Sequence, residues 1–151
     1  MNDTLHLSPA GIDLVKFSEG YRSRTYRDVA GFQTIGYGHK LILGETYPNG
    51  ITLEYGERIL AEDIADAEAA VKQLVKVELT QGQFDAMVDF VFNLGSHRLA
   101  GSTLLRLLND GDNDEAAHQL LRWDHAGSRE LLALKLRRES EYKLWTGKAA
   151  A

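Results

Sequence analysis

A long stretch with helical periodicity occupies residues 52 to about 76. Apolar side chains recur in it at steps of four and three, the spacing that places them on one face of an α-helix. They are Leu60, Ile64, Ala67, Val71 and Leu74. A helix of about 24 residues, at 1.5 Å per residue, is about 36 Å long. Because its other face is polar, we expect this helix, at about 53–76, to join two lobes.

Before this helix, the sequence predicts a short helix and then a β-hairpin. Ser8 and Pro9 are typical of a helix N-terminus, and Gly20 is typical of a helix end. Two segments rich in aromatic and β-forming residues, 21–28 and 32–38, then flank a Val-Ala-Gly turn, which is the pattern of a hairpin.

After the long helix, the sequence predicts helices only. Thr80 and Gln83 form a capping-box pair ahead of an apolar helix that Gly95 can end. Shorter helices are predicted at 102–108, 113–123 and 128–145.

These elements indicate one domain rather than two. A chain of 151 residues is long enough for a single core but too short for two domains of ordinary size. We therefore expect one domain, 1–151, of the α+β class and mainly helical. A cleft would separate a small lobe, at about 12–55, from a helical lobe at about 77–148 that includes the N-terminal helix.

Charge and residue usage exclude several kinds of function. The formal net charge is −5, from 17 basic and 22 acidic residues, which argues against a nucleic-acid partner. The chain has no cysteine, and its histidines lack metal-binding spacings. The acidic segment 109–115 lacks the glycine at the sixth place and the glutamate at the twelfth place of an EF-hand loop, so it is interpreted as a turn that leads into a helix. We expect no metal and no cofactor, and activity that resists EDTA.

The N-terminus carries neither a basic start nor an apolar stretch, and no segment approaches the roughly 18 apolar residues of a membrane span. We therefore expect no signal peptide and synthesis in the cytoplasm, with another protein releasing the chain to any substrate outside. A monomer is the default for a single domain of this size.

Two carboxylates and a hydroxyl, those of Glu19, Asp28 and Thr34, fall within 16 residues on the predicted helix-to-hairpin unit. Cleavage of a glycosidic bond needs one carboxyl as proton donor and a second group that activates water or acts as nucleophile. Glu19 would face the negative end of a helix dipole, and burial against Phe17 or Tyr21 would act with the dipole to raise its pKa. Asp28, beside a turn, would be solvated and would take the other role.

Several of these residues also have ordinary structural explanations. Thr34 is a good strand residue, and the glycines around Tyr37 are typical of strand bends. His39 is expected to order its surroundings through a hydrogen bond or ion pair with Glu62 or Asp63, rather than to act in catalysis.

Several motifs in one order resemble those of the phage-type lysozymes, the endolysins grouped as glycoside hydrolase family 24. They are the Glu19 and Asp28 segment and the runs at 34–39, 89–95, 102–105, 123–127 and 137–139. The resemblance covers nearly the whole chain and implies a lysozyme-like fold. It also implies a muramidase that hydrolyses the β-1,4 bond between N-acetylmuramic acid and N-acetylglucosamine in peptidoglycan.

The resemblance further implies roles for individual residues. Glu19 would be the proton donor, and Asp28 would act with Thr34 on the opposite face, usually through an activated water and with inversion. Contacts to the glycan strand are implied for Tyr37, Gly38 and Leu41 in the small lobe, and for Phe92 and Asn93 in the helical lobe.

The chain departs from the family pattern after residue 127. The family often has a second Gly there and then a Pro-Gly pair, whereas this chain has Ser128 followed by an apolar segment at 131–134. A more continuous helix is therefore expected.

By similarity, the biological role is host lysis at the end of a phage cycle, with a separate holin releasing the enzyme. Residues 129–148 hold six basic and three acidic side chains. This segment is either a solvated helix face or a surface that binds anionic outer-membrane lipid.

Two other functions stay open at the level of sequence. A lytic transglycosylase cuts the same bond with a single acid and leaves an anhydro product. A peptidoglycan-binding module without catalysis would need no proton donor, and the intact Glu19 argues against it.

Overall fold

The computed structural model describes residues 1–126 and 128–148. Its helices are α1 (Pro9–Glu19), α2 (Leu53–Leu74), α3 (Gln81–Leu94), α4 (Ser96–Ala100), α5 (Thr103–Asn109), α6 (Asn113–Leu120) and α7 (Leu132–Thr146). Its strands are β1 (Arg22–Arg27), β2 (Gln33–Gly36), β3 (His39–Lys40), β4 (His125–Ala126) and β5 (Arg129–Glu130). The predicted α+β class, mainly helical, is confirmed.

Helix α1 is fixed at its N-terminal end by contacts with α3. The Ser8 hydroxyl accepts a hydrogen bond from the Gly11 N–H at 3.2 Å and donates to the Asp85 carboxylate. The Ser8 N–H donates to the same carboxylate at 3.0 Å. The helix ends at Glu19 because Gly20 adopts a φ of +68°. These contacts hold α1, and therefore its last residue, against the helical core.

Strands β1, β2 and β3 form one antiparallel sheet in that order. Tyr26 pairs with Thr34, and Ile35 pairs with His39. The register of β1 shifts between Arg22 and Tyr26. The predicted hairpin is present, and a third short strand extends it.

Helix α2 contacts strands β2 and β3 as well as helices α3 and α4. It begins with the Thr52 cap and ends two residues before the predicted position, because Val75 turns to an extended conformation. There the Asn109 side chain accepts from the Lys76 N–H and donates to the Leu74 carbonyl. Contacts to both sheet and helices agree with a linking helix, and the proposed lobe boundaries stay a prediction.

Helix α3 lies at the centre of the helical core. It packs against α1, α2, α4 and α7, and residues 83–91 are all buried. The predicted capping box of Thr80 and Gln83 is present, and Gly95 ends the helix as expected. Two of its buried residues, Asp85 and Asp89, are carboxylates and must find partners in the core.

The segment after residue 124 differs from the prediction. Strands β4 and β5 pair Ala126 with Arg129, and the Leu131 N–H donates to the Asp124 carbonyl at 2.9 Å. This ribbon satisfies backbone groups that a helix would otherwise bond, so α7 begins only at Leu132. The expectation of a more continuous helix from Ser128 was wrong. Gly127 lies outside the described residues.

Across 1–126 and 128–148, no helix combines the length and the apolar character that crossing a membrane requires.

Candidate active site

The Glu19 carboxyl lies at the C-terminal end of α1 and lines an open cavity of about 490 Å³. Its side chain is 18% exposed. Asp28 and Asn93 line the same cavity, as does Arg137. The structure therefore brings both predicted carboxylates, from α1 and from the end of β1, to one concave surface together with residues of α3 and α7.

Burial raises the pKa of Glu19 above its ordinary value, although two cations act against the shift. The nearer is Arg137, whose Nη1 donates to Glu19 Oε2 at 2.7 Å, and the other is Lys40. Phe17 does not bury the carboxyl, since its side chain is 89% exposed. The raised pKa favours the protonated form that a general acid needs.

The backbone of Gly38 packs directly against the Glu19 carboxyl. A Cβ at this position would overlap Oε1 of Glu19 and lie 2.7 Å from its Cδ. Gly38 also has a φ of +68°, a backbone conformation that residues other than glycine rarely adopt. Glycine is therefore needed here both for the backbone turn and for the space that the acid occupies.

We expect Gly38→Ala to lower kcat about 10²-fold, because the new methyl would displace the Glu19 carboxyl by about 1 Å or more. The matched control is Gly44→Ala. Gly44 has a φ of +88°, but a Cβ there would meet no atom within 4 Å. Both variants should lose about 1–3 kcal/mol of unfolding free energy from the backbone conformation. Equal activity of the two variants in an initial-rate assay would contradict the packing argument.

Arg137 connects Glu19 to a buried carboxylate in the core. Its Nε and Nη2 donate to the two oxygens of Asp89 at 3.0 and 2.9 Å. The Arg137 side chain is 6% exposed and that of Asp89 is fully buried. Burial alone would raise the pKa of Asp89, but the Arg137 guanidinium reverses the shift and lowers it. This bidentate pair fixes the guanidinium that contacts the acid.

A second buried pair lies one residue further along α7. Arg138 Nη2 donates to Glu141 Oε2 at 2.8 Å and to Asn93 Oδ1 at 2.9 Å. Its guanidinium stacks over the Phe90 ring, 5.3 Å from the centroid. Because Arg138 holds the Asn93 oxygen, the Asn93 side chain is oriented where it lines the cavity.

Burial of Arg137 and Arg138 changes the interpretation of the basic segment 129–148. Both guanidinium groups lie in the core and pair with carboxylates. The basic side chains that this segment exposes are Arg129, Lys135, Lys143 and Lys148. A surface patch of six basic groups is therefore absent from the part of the chain that the structure describes.

Asp28 caps the turn between β1 and β2. Its Oδ1 accepts from the Ala30 N–H at 3.0 Å and from the Phe32 N–H at 2.9 Å. The side chain is half-buried, in line with its position on the cavity wall. Two backbone hydrogen bonds to Oδ1 fix the carboxylate, and Oδ2 accepts no hydrogen bond from the described residues.

Thr34 is next to Asp28 but is buried, with 2% of its surface exposed. Its hydroxyl donates to the Phe32 carbonyl at 2.9 Å, and the Asp28 N–H donates to the same oxygen at 2.9 Å. Thr34 is not among the described residues that line the cavity around Glu19. Because the Thr34 hydroxyl already donates its proton to the Phe32 carbonyl, it can only accept a hydrogen bond from a further partner.

The residues expected to contact substrate are divided between two surfaces. Asn93 lines the cavity of Glu19, whereas Gly38 and Phe92 line a second depression of about 520 Å³. Tyr37 packs against Tyr21 and donates to Glu57, and Leu41 continues the pairing of β2. Neither Tyr37 nor Leu41 is among the described residues that line the two cavities.

His39 lies beside Gly38 and bridges two carboxylates. Its Nδ1 is 2.7 Å from Asp63 Oδ2, and its Nε2 is 3.0 Å from Glu45 Oε1. Burial alone would lower the pKa of His39, but these two carboxylates reverse the shift and raise it. The contact with Asp63 is the expected one, and that with Glu45 was not foreseen.

Comparison with known proteins identifies the class of enzyme. The family model described as Phage lysozyme matches residues 16–141. The chain belongs to the phage lysozyme family. It is therefore a lysozyme, a glycoside hydrolase that degrades peptidoglycan. The resemblance to phage-type lysozymes that the sequence motifs indicate is confirmed.

Individual relatives agree with this assignment. The lysozyme is 40% identical to the endolysin of Acyrthosiphon pisum secondary endosymbiont phage 1, with 93% of this chain and 98% of the relative covered. It is 39% identical to the endolysin of Bacillus phage B103 over 93% of this chain, but it spans only 54% of that protein's length. The muramidase domain of SpmX from Asticaccaulis excentricus superposes with a TM-score of 0.84, at 36% identity, over 94% of this chain and 98% of that one.

Sequence reasoning missed the supporting roles of Asp89 and Arg137. The available signal was a carboxylate in the otherwise apolar stretch of α3, since a buried charge requires a paired group of opposite sign. Residues 1–126 and 128–148 contain no group of three or more histidine, cysteine or acidic side chains arranged to hold a metal ion.

Proposed function

We propose that this lysozyme hydrolyses the β-1,4 bond between N-acetylmuramic acid and N-acetylglucosamine. The observation that carries the proposal is the position of Glu19, whose carboxyl is buried enough to have a raised pKa and yet lines an open cavity. The same cavity contains a second carboxylate, Asp28. Paired carboxyls in different environments are the usual arrangement for acid and base roles in glycoside hydrolysis.

In this proposal, protonated Glu19 donates its proton to the leaving-group oxygen as the glycosidic bond breaks. Arg137 contacts the carboxyl from the side of α7 and limits how far its pKa rises. The carboxylate that forms is then stabilised by the same guanidinium. Arg137 is thus a positioning residue that also sets the pH range over which Glu19 stays protonated.

Asp28 is assigned the opposite role, the activation of a water that attacks the sugar. Its Oδ1 is occupied by two backbone N–H groups, which leaves Oδ2 for the water. We assign Thr34 as the second partner of that water, because its hydroxyl donates to the Phe32 carbonyl and can accept a hydrogen bond. Attack by a separate water corresponds to inversion at the anomeric carbon.

Thr34→Val tests the role of the hydroxyl. We expect kcat to fall about 10²-fold if the hydroxyl positions the water. Losing the bond to the Phe32 carbonyl should cost about 0.5–1.5 kcal/mol of stability. Thr34→Ser is the matched control, since it keeps the hydroxyl and should restore most of kcat. Parental kcat in the valine variant would restrict Thr34 to a structural role.

The glycan strand is proposed to occupy the cavity of Glu19 and the second depression together. Asn93 would contact it in the first, and Gly38 and Phe92 in the second. We propose that Tyr37 and Leu41 support this surface rather than line it, because both are committed to contacts within the sheet region. His39, held between Asp63 and Glu45, orders the segment that carries Gly38.

Product chemistry tests the proposed reaction. Purified peptidoglycan is digested with the parent protein and with Glu19→Gln, and the released muropeptides are identified by mass spectrometry before and after borohydride reduction. Hydrolysis predicts reducible muramic-acid ends, made by the parent protein only. Anhydro-muramic ends would assign the chain as a lytic transglycosylase, and binding without any release by the parent protein would leave a binding module.

We further propose that the chain is a phage endolysin, made in the host cytoplasm and released to peptidoglycan by a separate holin. The relatives named as endolysins support this role. Expression of the chain alone should leave host cells intact, and co-expression with a holin should lyse them. Lysis without a holin would contradict the release step.

Light scattering should give a monomer of 16.8 kDa.

Attachment of residues 129–148 to anionic outer-membrane lipid is proposed in a weaker form, because only four of the six basic groups are exposed. Replacing Lys135, Lys143 and Lys148 by Gln should reduce leakage from outer-membrane vesicles. Equal leakage with the parent and the triple variant would contradict lipid binding by this segment.

A further inference from the structure

Two arginines that the proposed mechanism does not use line the cavity beside Glu19. They are Arg22 and Arg27, both on β1 and both exposed. Within residues 1–126 and 128–148, neither side chain forms an ion pair with a carboxylate. Arginines on a cavity wall without an acidic partner are suited to bind an anionic group of a ligand.

Contacts within the protein hold both guanidinium groups in place. The Arg22 guanidinium lies over the Tyr26 ring, 4.4 Å from its centroid. Arg27 Nη1 donates to the Gly31 carbonyl at 2.9 Å. Each arginine has five N–H donors, so most of them remain for a ligand. Because part of each arginine side chain is already ordered, these side chains would lose less conformational entropy when a ligand binds.

The charges around these arginines also favour an anion. The two carboxylates of the cavity already have partners, since Glu19 pairs with Arg137 and Asp28 accepts two backbone N–H groups. Arg137 is committed to Asp89 and Glu19, so Arg22 and Arg27 are the two guanidinium groups of the described cavity lining that no carboxylate pairs.

We propose that Arg22 and Arg27 bind a free carboxylate of the stem peptide that muramic acid carries in peptidoglycan. This inference rests on the proposed function, because it needs muramic acid beside Glu19. The stem peptide begins at the sugar ring, bears free carboxylates and is the anionic part of the substrate. Val29 and Leu136, which are exposed on the same cavity wall, offer apolar contacts to its methyl groups. The enzyme would then prefer stem peptides whose carboxylates are not amidated.

The test compares two forms of one substrate. A single preparation of sacculi is divided, and the stem-peptide carboxylates of one half are converted to amides with a carbodiimide in excess ammonium, which leaves the glycan unchanged. Initial rates of muropeptide release are measured on both halves, with the products identified by mass spectrometry. The proteins are the parent, the double variant R22Q/R27Q, and the control Arg24→Gln, which lies on the same strand but outside the cavity lining.

We expect the parent and Arg24→Gln to act at least tenfold faster, in apparent kcat/KM, on the untreated sacculi than on the amidated ones. The ratio should fall to about one for R22Q/R27Q, with unchanged thermal unfolding. A parent ratio of one would overturn the inference, and so would a double variant that keeps the parental ratio. Release of no muropeptide by the parent from either half would overturn the proposed function, and the inference with it.

Discussion

Glu19→Gln should lower kcat by about 10²- to 10⁴-fold, the contribution expected of a general acid. The glutamine is nearly isosteric and its carbonyl oxygen can still accept from Arg137 Nη1. It cannot donate a proton to the leaving group. Binding to sacculi should therefore persist while turnover is lost, and a pull-down assay beside the rate assay measures both.

The same variant makes a prediction about stability. Because burial raises the pKa of Glu19, the folded state is less stable with the carboxyl ionised than with it neutral. This penalty is absent below the ordinary pKa of glutamate and is fully present above the raised pKa. At neutral pH, Glu19→Gln should thus melt at the parental temperature or higher. Glu78→Gln, on an exposed side chain, is the control.

Parental kcat in Glu19→Gln would remove Glu19 from the mechanism.

Arg137→Met should have the largest effect on stability. It removes the bidentate partner of Asp89 and leaves a fully buried carboxylate without its cation, which costs about 3–5 kcal/mol. This loss is a large part of the roughly 5–15 kcal/mol that stabilises an ordinary domain. Denaturant unfolding measures it. Lys135→Met, on the exposed face of the same helix, should change the unfolding free energy by less than about 0.5 kcal/mol.

Arg137 substitutions should also move the pH profile. The guanidinium lowers the pKa of Glu19 against the effect of burial, so its removal raises that pKa. Glu19 must be protonated to act, and activity is lost as the pH rises above its pKa. The alkaline limb of kcat/KM should therefore shift to higher pH. If the methionine variant does not fold, Arg137→Lys takes its place. It keeps the positive charge, so the alkaline limb of its kcat/KM profile should stay closer to that of the parent protein. A shift to lower pH would contradict this electrostatic role.

The secondary structure was predictable because its signals are local. The Ser8 cap, the Thr80 capping box and the period of α2 each depend on residues within one or two turns of a helix. The ribbon before α7 was not predictable in the same way. An apolar segment at 131–134 has high helical propensity, but the pairing of Ala126 with Arg129 delays the start of that helix to Leu132.

The candidate site was predictable where its residues are close in sequence. Glu19 and Asp28 fall nine residues apart, on a helix end and a hairpin turn that local signals define. The contact between Glu19 and Arg137 joins residues 118 positions apart, and only the packing of α7 against α1 and α3 creates it. The burial of Thr34 likewise depends on tertiary packing, which its residue type does not reveal.

A carboxyl titration of Glu19 tests the central claim most directly. The protein is labelled with ¹³C at the glutamate side-chain carboxyls, and the Glu19 signal is assigned by its absence from Glu19→Gln. We predict a pKa above the ordinary range of glutamate, equal to the pKa of the alkaline limb of kcat/KM. A pKa at or below the ordinary value, or an alkaline limb that does not follow the Glu19 titration, would contradict the assignment of this carboxyl as the proton donor.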